Sequence, residues 1–159
     1  METPFLNELE RTTHSPEETL AVGARIGGAA QRGDCVALTG PLGAGKTVVV
    51  KGIARGLGLS PDQITSPTFV LEAIHEGRLI LHHFDAYRLT DSSELLEIGA
   101  EEAIHGSDVS VVEWADRVPD LLPEDRLQIH IELTGERARC LRLRATGPQS
   151  TWLLRAAKA

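Results

Sequence analysis

The chain has 159 residues, of which 42% are hydrophobic and 25% are charged, the length and composition of one ordinary globular domain. They exclude a multidomain machine and predict that residues 1–159 form a single domain with its own core. The 16 lysines and arginines against 23 acids give a net charge of −7, which repels phosphate backbones and argues against autonomous binding of nucleic acid or an anionic membrane.

Neither the cysteines nor the start of the chain indicates secretion. Cys35 and Cys140 lie in separate apolar runs without neighbours at metal-ligand spacing, so we expect buried, reduced thiols. The N-terminal segment lacks the basic and apolar regions of a signal peptide, and no run reaches the roughly 18 apolar residues of a membrane span. We therefore expect a cytoplasmic protein that does not enter a membrane.

The first predicted elements are a helix, a strand and a second helix. The segment SPEE at 15–18 predicts a helix start with a side-chain cap, and apolar residues at near-helical spacing continue the helix toward Gly33. The run 35–38 is apolar without polar alternation, which is typical of a strand covered on both faces in a parallel sheet. A second helix is predicted from Lys46 until Gly58 ends it.

The rest of the chain predicts strands at the margin of that sheet. The extended runs 69–75 and 79–85 are joined by a short glycine-containing turn, which predicts a β-hairpin. The remaining elements are an acidic helix, three strands and a C-terminal tail or short helix, at 92–102, 109–114, 126–132, 140–144 and 148–159. This order predicts an α/β, three-layer fold with a mixed, mostly parallel sheet and an antiparallel hairpin at its margin.

The segment GPLGAGKT at 40–47 satisfies the phosphate-loop pattern G-x-x-x-x-G-K-[ST] at every fixed position, between a predicted strand and a helix. Its backbone N–H groups would surround a phosphate, and the helix start adds the positive end of its dipole. Lys46 would reach the β and γ phosphates, and the Thr47 hydroxyl would ligate Mg²⁺. The motif predicts a P-loop NTPase-like fold whose ATP contacts come from Leu42, Gly43, Ala44, Gly45, Lys46 and Thr47.

Two acids at predicted strand ends are candidates for the metal and for catalysis. Asp85 and Glu113 each follow an apolar run, and ligands of such sheets bind at the carboxyl ends of the strands. Because the run before Glu113 is the more uniformly apolar, we place Glu113 near the metal and Asp85 as a second carboxylate that orients water or the metal shell. Thr68 lies in a proline-framed loop, where other P-loop proteins carry a γ-phosphate switch, although a hydroxyl that satisfies a turn is an equal alternative.

Three residues near those acids have two interpretations each. His82 and His83 point to opposite faces of a predicted strand, so at most one faces the site, and packing at the rim of the core suits His82 as well as chemistry does. Trp114 follows Glu113, and a tryptophan there is more often a packing residue than a contact.

Further motifs accompany the phosphate loop, namely SPTF at 66–69, HFDAYRL at 83–89, ELLEIG at 94–99 and VEWADR at 112–117. Over about residues 15–144 the set resembles the bacterial TsaE (YjeE) family, ATPases of tRNA modification. The resemblance implies an Mg²⁺-dependent ATPase required for N6-threonylcarbamoyladenosine at position 37 of tRNA. Its partners would be the TsaD- and TsaB-type subunits of the threonylcarbamoyl-transferase complex, whose turnover it would support without stable tRNA binding of its own.

The resemblance also assigns roles to single residues. Lys46 would contact phosphate, and Thr47 and Glu113 would bind Mg²⁺. Asp85 would be the catalytic carboxylate, and Thr68 would belong to the switch loop.

Other positions are implied with less detail. Trp114 would be a functional neighbour of Glu113, and the segment 15–19 would border the adenine. Arg139 is the predicted arginine near the nucleotide, with Arg137 as the alternative because the length of their turn cannot be aligned. The turn at 76–78 is shorter than the family's common insertion, which leaves the shape of that hairpin open.

Two other functional classes carry a similar loop. A small-metabolite kinase would need an arginine-bearing lid, whereas the arginines between 137 and 144 lie on predicted strands. A nucleotide-gated binding module would use ATP only to order the Thr68 loop for docking. The resemblance favours an ATPase that is slow alone and stimulated by partners, since no arginine is obviously positioned as a finger in cis.

Overall fold

The computed structural model describes residues 7–159, which form a seven-stranded sheet with helices on both faces. The strands are β1 Glu8–Thr13, β2 Cys35–Thr39, β3 Glu72–Glu76, β4 Ile80–Asp85, β5 Val109–Glu113, β6 Leu127–Leu133 and β7 Arg139–Ala145. The helices are α1 Pro16–Ala29, α2 Lys46–Gly56, α3 Ser93–Glu97, α4 Ala100–Ile104 and α5 Pro148–Lys158. Short 3-10 turns occupy Pro61–Gln63, Ala115–Arg117 and Pro119–Leu121. The predicted α/β class is confirmed.

The order of the strands is β1-β7-β6-β2-β5-β4-β3. The four central strands, from β6 to β4, run parallel, and the antiparallel partners lie at the margins, with β7 and β1 on one side and β3 on the other. In register, Glu113 lies opposite both Leu38 and Asp85. The carboxyl ends of β2, β5 and β4 therefore meet at one edge of the sheet, beside the loop that leaves β2.

Two hydrophobic clusters fill the layers on either side of the sheet. Helices α1, α2 and α5 cover one face, where Ile26 and Ile53 pack against Leu38. Helices α3 and α4 cover part of the other face around Phe84. Neighbouring residues of β2 enter opposite clusters, as alternation along a strand requires. This two-sided burial explains why the β2 sequence is apolar throughout.

The start of α1 forms as the sequence predicts. The Ser15 hydroxyl accepts a hydrogen bond of 3.1 Å from the backbone N–H of Glu18, and Pro16 occupies the first turn. Cys35 and Cys140 are both buried, and burial raises the pKa of the Cys35 thiol to about 12. Among residues 7–159, no helix is both long enough and apolar enough to cross a membrane.

Strand β1 was not among the predicted elements. Its sequence, ELERTT, has Leu9 as its one apolar residue, so its apolar signal is weak. Glu10 and Glu8 lie opposite Arg142 and Arg144 of β7, with N–O distances of 3.7 and 4.0 Å. Cross-strand charge pairs therefore accompany a strand that hydrophobic periodicity misses.

Two predicted elements end differently in the structure. Leu71 has a positive φ of 72°, so the first hairpin strand begins at Glu72 and not at residue 69. Gly99 adopts a left-handed conformation with φ of 82°, and it divides the predicted acidic helix into α3 and α4. In both cases a single residue with positive φ interrupts a sequence pattern that predicts one continuous strand or helix.

His82 connects β3, β4 and the loop before β5. Its Nδ1 and Nε2 each lie 2.9 Å from a carboxylate oxygen, of Glu72 and Asp108 respectively, and its side chain is 12% exposed. Burial alone lowers the pKa of His82, but the hydrogen bonds and charges of the two acids outweigh it and raise the pKa above the ordinary 6.5. His82 thus ties three segments together, and its two acidic partners favour the charged form of the imidazole.

His82→Gln is therefore expected to destabilise the protein in a pH-dependent way. Because the folded pKa is raised, the stabilisation is fully present below the unfolded pKa and is lost as the pH rises through the folded pKa. We expect urea unfolding to give a loss of about 2 kcal/mol near pH 5.5 and a smaller loss near pH 9. The exposed pair of His14 and Glu18 supplies the control, because His14→Gln should change stability little at either pH. A His82→Gln loss independent of pH would contradict this account.

Candidate nucleotide-binding site

The loop between β2 and α2 has the backbone path of a phosphate loop. Gly40, Gly43 and Gly45 have positive φ values of 138°, 79° and 111°, which side chains with a Cβ rarely adopt. A Cβ at Gly40 would also overlap the carbonyl oxygen of Ile131. Helix α2 begins directly at Lys46, so its N-terminal amides and dipole face the concave side of the loop.

Lys46 is folded back onto its own loop. Its Nζ donates hydrogen bonds of 2.7 and 2.8 Å to the carbonyls of Gly40 and Pro41 and lies 4.1 Å from the centre of the Trp114 ring. Burial lowers the pKa of Lys46, and the carboxylates of Glu113 and Asp85 only partly oppose that effect. A cation held in this way can exchange two carbonyl contacts for the stronger charge of a phosphate.

Trp114 lines the site and also packs against the edge of the hydrophobic cluster around Phe84. It has a positive φ of 58°, which ends β5 abruptly and turns the indole toward Lys46. The Arg117 guanidinium lies 4.8 Å from the same ring, and Tyr87 packs against the ring with centroids 5.0 Å apart. The two interpretations of Trp114 therefore both hold, because the indole packs against the core and also contacts Lys46 in the site.

Thr47 and Glu113 form the candidate metal site. The Thr47 hydroxyl donates a hydrogen bond of 3.0 Å to Oε1 of Glu113, whose residue is 2% exposed. Hydroxyl and carboxylate oxygens are ligands that Mg²⁺ prefers, and it takes few protein carboxylates because phosphates and waters complete its shell. Residues 7–159 contain no group of three or more metal-ligating His, Cys, Asp or Glu residues, which agrees with so sparse a site. The donor set fits magnesium.

Asp85 lies beside Glu113 in register and holds the loop that carries Thr68. It accepts hydrogen bonds from the Ser66 hydroxyl, from the Thr68 hydroxyl at 3.0 Å and from the backbone N–H of Tyr87 at 2.8 Å. Arg88 donates to the carbonyl of Thr68 at 3.2 Å. The loop predicted to be a switch is thus tied to the predicted catalytic carboxylate.

One cavity of about 440 Å³ brings the predicted site together. It is lined by Leu42, Gly43, Gly45, Lys46, Thr47, Thr68, Asp85, Glu113 and Trp114, among others. Ala44, the other predicted loop contact, is itself buried beneath this surface. A cavity of about 510 Å³ elsewhere, beside β1, β6 and β7, contains no residue of the loop 40–47. The smaller cavity is therefore the one that contains the predicted phosphate site, and both phosphate binding and the catalytic roles of its residues stay predictions.

The positions predicted to border the adenine surround a second, adjoining depression. A cavity of about 120 Å³ is lined by Ser15, Pro16, Thr19, Ala44, Gly45, Val48, Glu136, Arg137 and Arg139. Arg139 donates from Nε to the Ala44 carbonyl at 2.9 Å, whereas Arg137 lies 4.0 Å from Glu17 and is mostly exposed. Arg139 is thus the arginine in contact with the phosphate loop, and its contact with nucleotide remains a prediction.

Sequence reasoning left His83 without a role. Its Nε2 lies 2.6 Å from Oε2 of Glu113, and its side chain is completely buried. The signal was available, because His83 and Asp85 are two residues apart on one strand and must share a face. Ser66 was likewise missed as a partner of Asp85.

Comparisons with known proteins identify relatives over most of the chain. The family model described as "Threonylcarbamoyl adenosine biosynthesis protein TsaE" matches residues 13–141. The tRNA threonylcarbamoyladenosine biosynthesis protein TsaE of Treponema pallidum is 42% identical over 124 residues, which cover 78% of this chain and 91% of that protein. The protein of the same name from Bacillus subtilis is 41% identical over 143 residues, covering 89% of each.

A solved structure agrees with these sequences. The crystal structure of Bacillus subtilis YdiB superimposes with a TM-score of 0.80 at 36% sequence identity, covering 95% of this chain and 94% of that one. The shared fold includes the parallel strands whose ends carry Asp85 and Glu113. With a family model matched over most of its length and relatives above 40% identity, this chain belongs to the TsaE family.

Proposed function

We propose that this chain is an Mg²⁺-dependent ATPase that serves the formation of N6-threonylcarbamoyladenosine in tRNA. The observation that carries the proposal is one cavity that holds the phosphate-loop lysine, the Thr47–Glu113 pair and the Asp85–Thr68 pair. The names of the relatives supply the pathway. A small-metabolite kinase finds no such support among them.

The proposed chemistry divides among residues already in contact. Lys46 would leave the carbonyls of Gly40 and Pro41 and bind the β and γ phosphates. Thr47 and Glu113 would hold Mg²⁺, which when bound neutralises charge on the phosphates. Asp85 would orient the attacking water and accept its proton.

The same cavity supports dependence on partners. Among the described residues that line it there is no arginine, so this chain offers no guanidinium there to stabilise charge on the transferred phosphoryl group. Phe69, Val70 and Leu42 are 85%, 71% and 69% exposed, and Phe69 and Leu42 line the same cavity, so the rim presents a group of exposed apolar side chains of the kind that marks interaction sites. We propose that TsaD- and TsaB-type subunits cover this rim and raise a low basal activity. A net charge of −7 agrees with tRNA being held by those subunits.

Reconstituted tRNA modification with the two partner subunits tests the proposal. We expect Glu113→Ala to lower ATP hydrolysis by about 100-fold or more and to prevent repeated rounds of modification. Glu76→Ala, which removes an exposed acid at the far end of β3, is the matched control and should behave as the original protein. Repeated turnover that is independent of Glu113 would refute the metal assignment.

The same assay addresses the binding-module alternative. Asp85→Ala removes the proposed catalytic carboxylate and the partner of Thr68 together. If this variant binds ATP and the partners normally and still supports modification, hydrolysis is dispensable and ATP acts only as a gate. Equal ATPase rates with and without the partner subunits would refute their stimulating role.

A further inference from the structure

His83 is a buried histidine whose ring makes one hydrogen bond. Its Nε2 lies 2.6 Å from Oε2 of Glu113, and its Nδ1 has no hydrogen-bond partner among residues 7–159. A proton on Nδ1 would be buried without an acceptor, which costs more than an unpaired lone pair at the same place. The geometry therefore places the ring proton on Nε2, which donates to the carboxylate.

The two oxygens of Glu113 have different principal partners. Oε2 lies 2.6 Å from Nε2 of His83, whereas the Thr47 hydroxyl is nearer to Oε1, at 3.0 Å, than to Oε2, at 3.3 Å. A glutamate side chain has three rotatable bonds, so a single contact would leave the plane of its carboxylate free to turn. Two contacts on different oxygens fix that plane.

We propose that His83 is a positioning residue for the magnesium site. By holding Oε2 from the buried side, it keeps Oε1 beside the Thr47 hydroxyl, where the two oxygens can ligate one ion. Partners that hydrogen-bond a metal ligand from behind contribute to metal affinity in this way. The inference rests on the proposed function, because it deepens the Mg²⁺ site assigned there.

The adjacent residue, His82, shows that a histidine in β4 does not by itself contact Glu113. His82 points to the opposite face, where its two nitrogens contact Glu72 and Asp108 and not the site. His82 and His83 therefore form a matched pair, with the same residue type in the same strand and only one of them touching Glu113.

Mn²⁺ binding measures the role of His83 without relying on catalysis. Free Mn²⁺ is followed by electron paramagnetic resonance as it is titrated into protein saturated with ADP. We expect His83→Leu to weaken Mn²⁺ binding by about 10- to 100-fold. Its ADP affinity in EDTA should be unchanged. His83→Gln, whose amide nitrogen can donate from near the position of Nε2, should restore most of the affinity, and His82→Gln should leave it unchanged.

Two results would overturn the inference. One is normal Mn²⁺ affinity in His83→Leu, and the other is an equal loss in His83→Leu and His83→Gln when both melt like the original protein. If the leucine variant does not fold, His83→Met supplies the same test, since it also lacks a donor. A loss in Glu113→Gln without one in His83→Leu refutes the inference alone, whereas failure of the original protein to bind Mn²⁺ with ADP refutes the proposed function as well.

Discussion

Lys46→Ala is expected to reduce ATP hydrolysis by about 100- to 1,000-fold, because it removes the one side-chain cation in the phosphate cavity of the described chain. The ammonium of Lys46 is held at the cavity by two carbonyls and an aromatic face, so it needs only to exchange the two carbonyls for phosphate oxygens. Alanine leaves the loop with backbone donors only. The affinity for ATP should fall together with the rate, and calorimetric titration with phosphate-release kinetics measures both.

Lys51 provides the control for this substitution. It lies in the same helix, α2, outside the phosphate cavity, so Lys51→Ala changes the net charge equally without touching the site. We expect this variant to keep its ATP affinity and rate. Unchanged ATP affinity and rate in Lys46→Ala would refute the phosphate-loop assignment, whatever the control shows.

The parts of the site that could be predicted are those encoded locally. The phosphate loop is eight consecutive residues with fixed chemistry, and its backbone has the positive φ values that its glycines allow. Asp85 and Glu113 are far apart in sequence, yet a general rule places both, because parallel strands end at the same edge. The rule places both acids at that edge, whereas their position opposite each other depends on the strand order, which the sequence left open.

The remaining contacts could not be predicted because they depend on how distant segments pack. Arg139 reaches the carbonyl of Ala44 from a strand 95 residues further along the chain. The choice between Arg139 and Arg137 depends on where β7 begins, and β7 pairs with β1, which itself carries a weak apolar pattern. A change of two residues in the length of that turn would exchange the two arginines.

The fold, like the site, has parts that the local sequence predicts and parts that it does not. Strands buried on both faces, such as β2 and β5, are visible as uninterrupted apolar runs. The breaks at Leu71 and Gly99 are single residues with positive φ inside otherwise regular patterns, and propensity averaged over a window does not detect them. Edge and turn positions were therefore the ones misplaced, while the layers were not.

The contact between α1 and α2 depends on glycine in a way that a single methyl group should disrupt. A Cβ at Gly27 would overlap the carbonyl oxygen of Ile53 and lie 2.8 Å from its carbonyl carbon, so the two backbones meet without side chains between them. Backbone atoms cannot move aside as side chains do. We expect Gly27→Ala to lower the free energy of unfolding by about 3 kcal/mol, measured by urea denaturation.

The next residue supplies the matched control. A Cβ at Gly28 would meet no described atom within 4 Å apart from its neighbours and the backbone of its own helix, so Gly28→Ala should stabilise α1 by about 0.5 to 1 kcal/mol through helix propensity. Because α2 begins at Lys46, forcing the helices apart also displaces the phosphate loop, and Gly27→Ala should bind ATP more weakly even where it remains folded. If Gly27→Ala proved as stable as Gly28→Ala, the two helices would not be in backbone contact, and α1 could not hold α2 and the phosphate loop in place through Gly27.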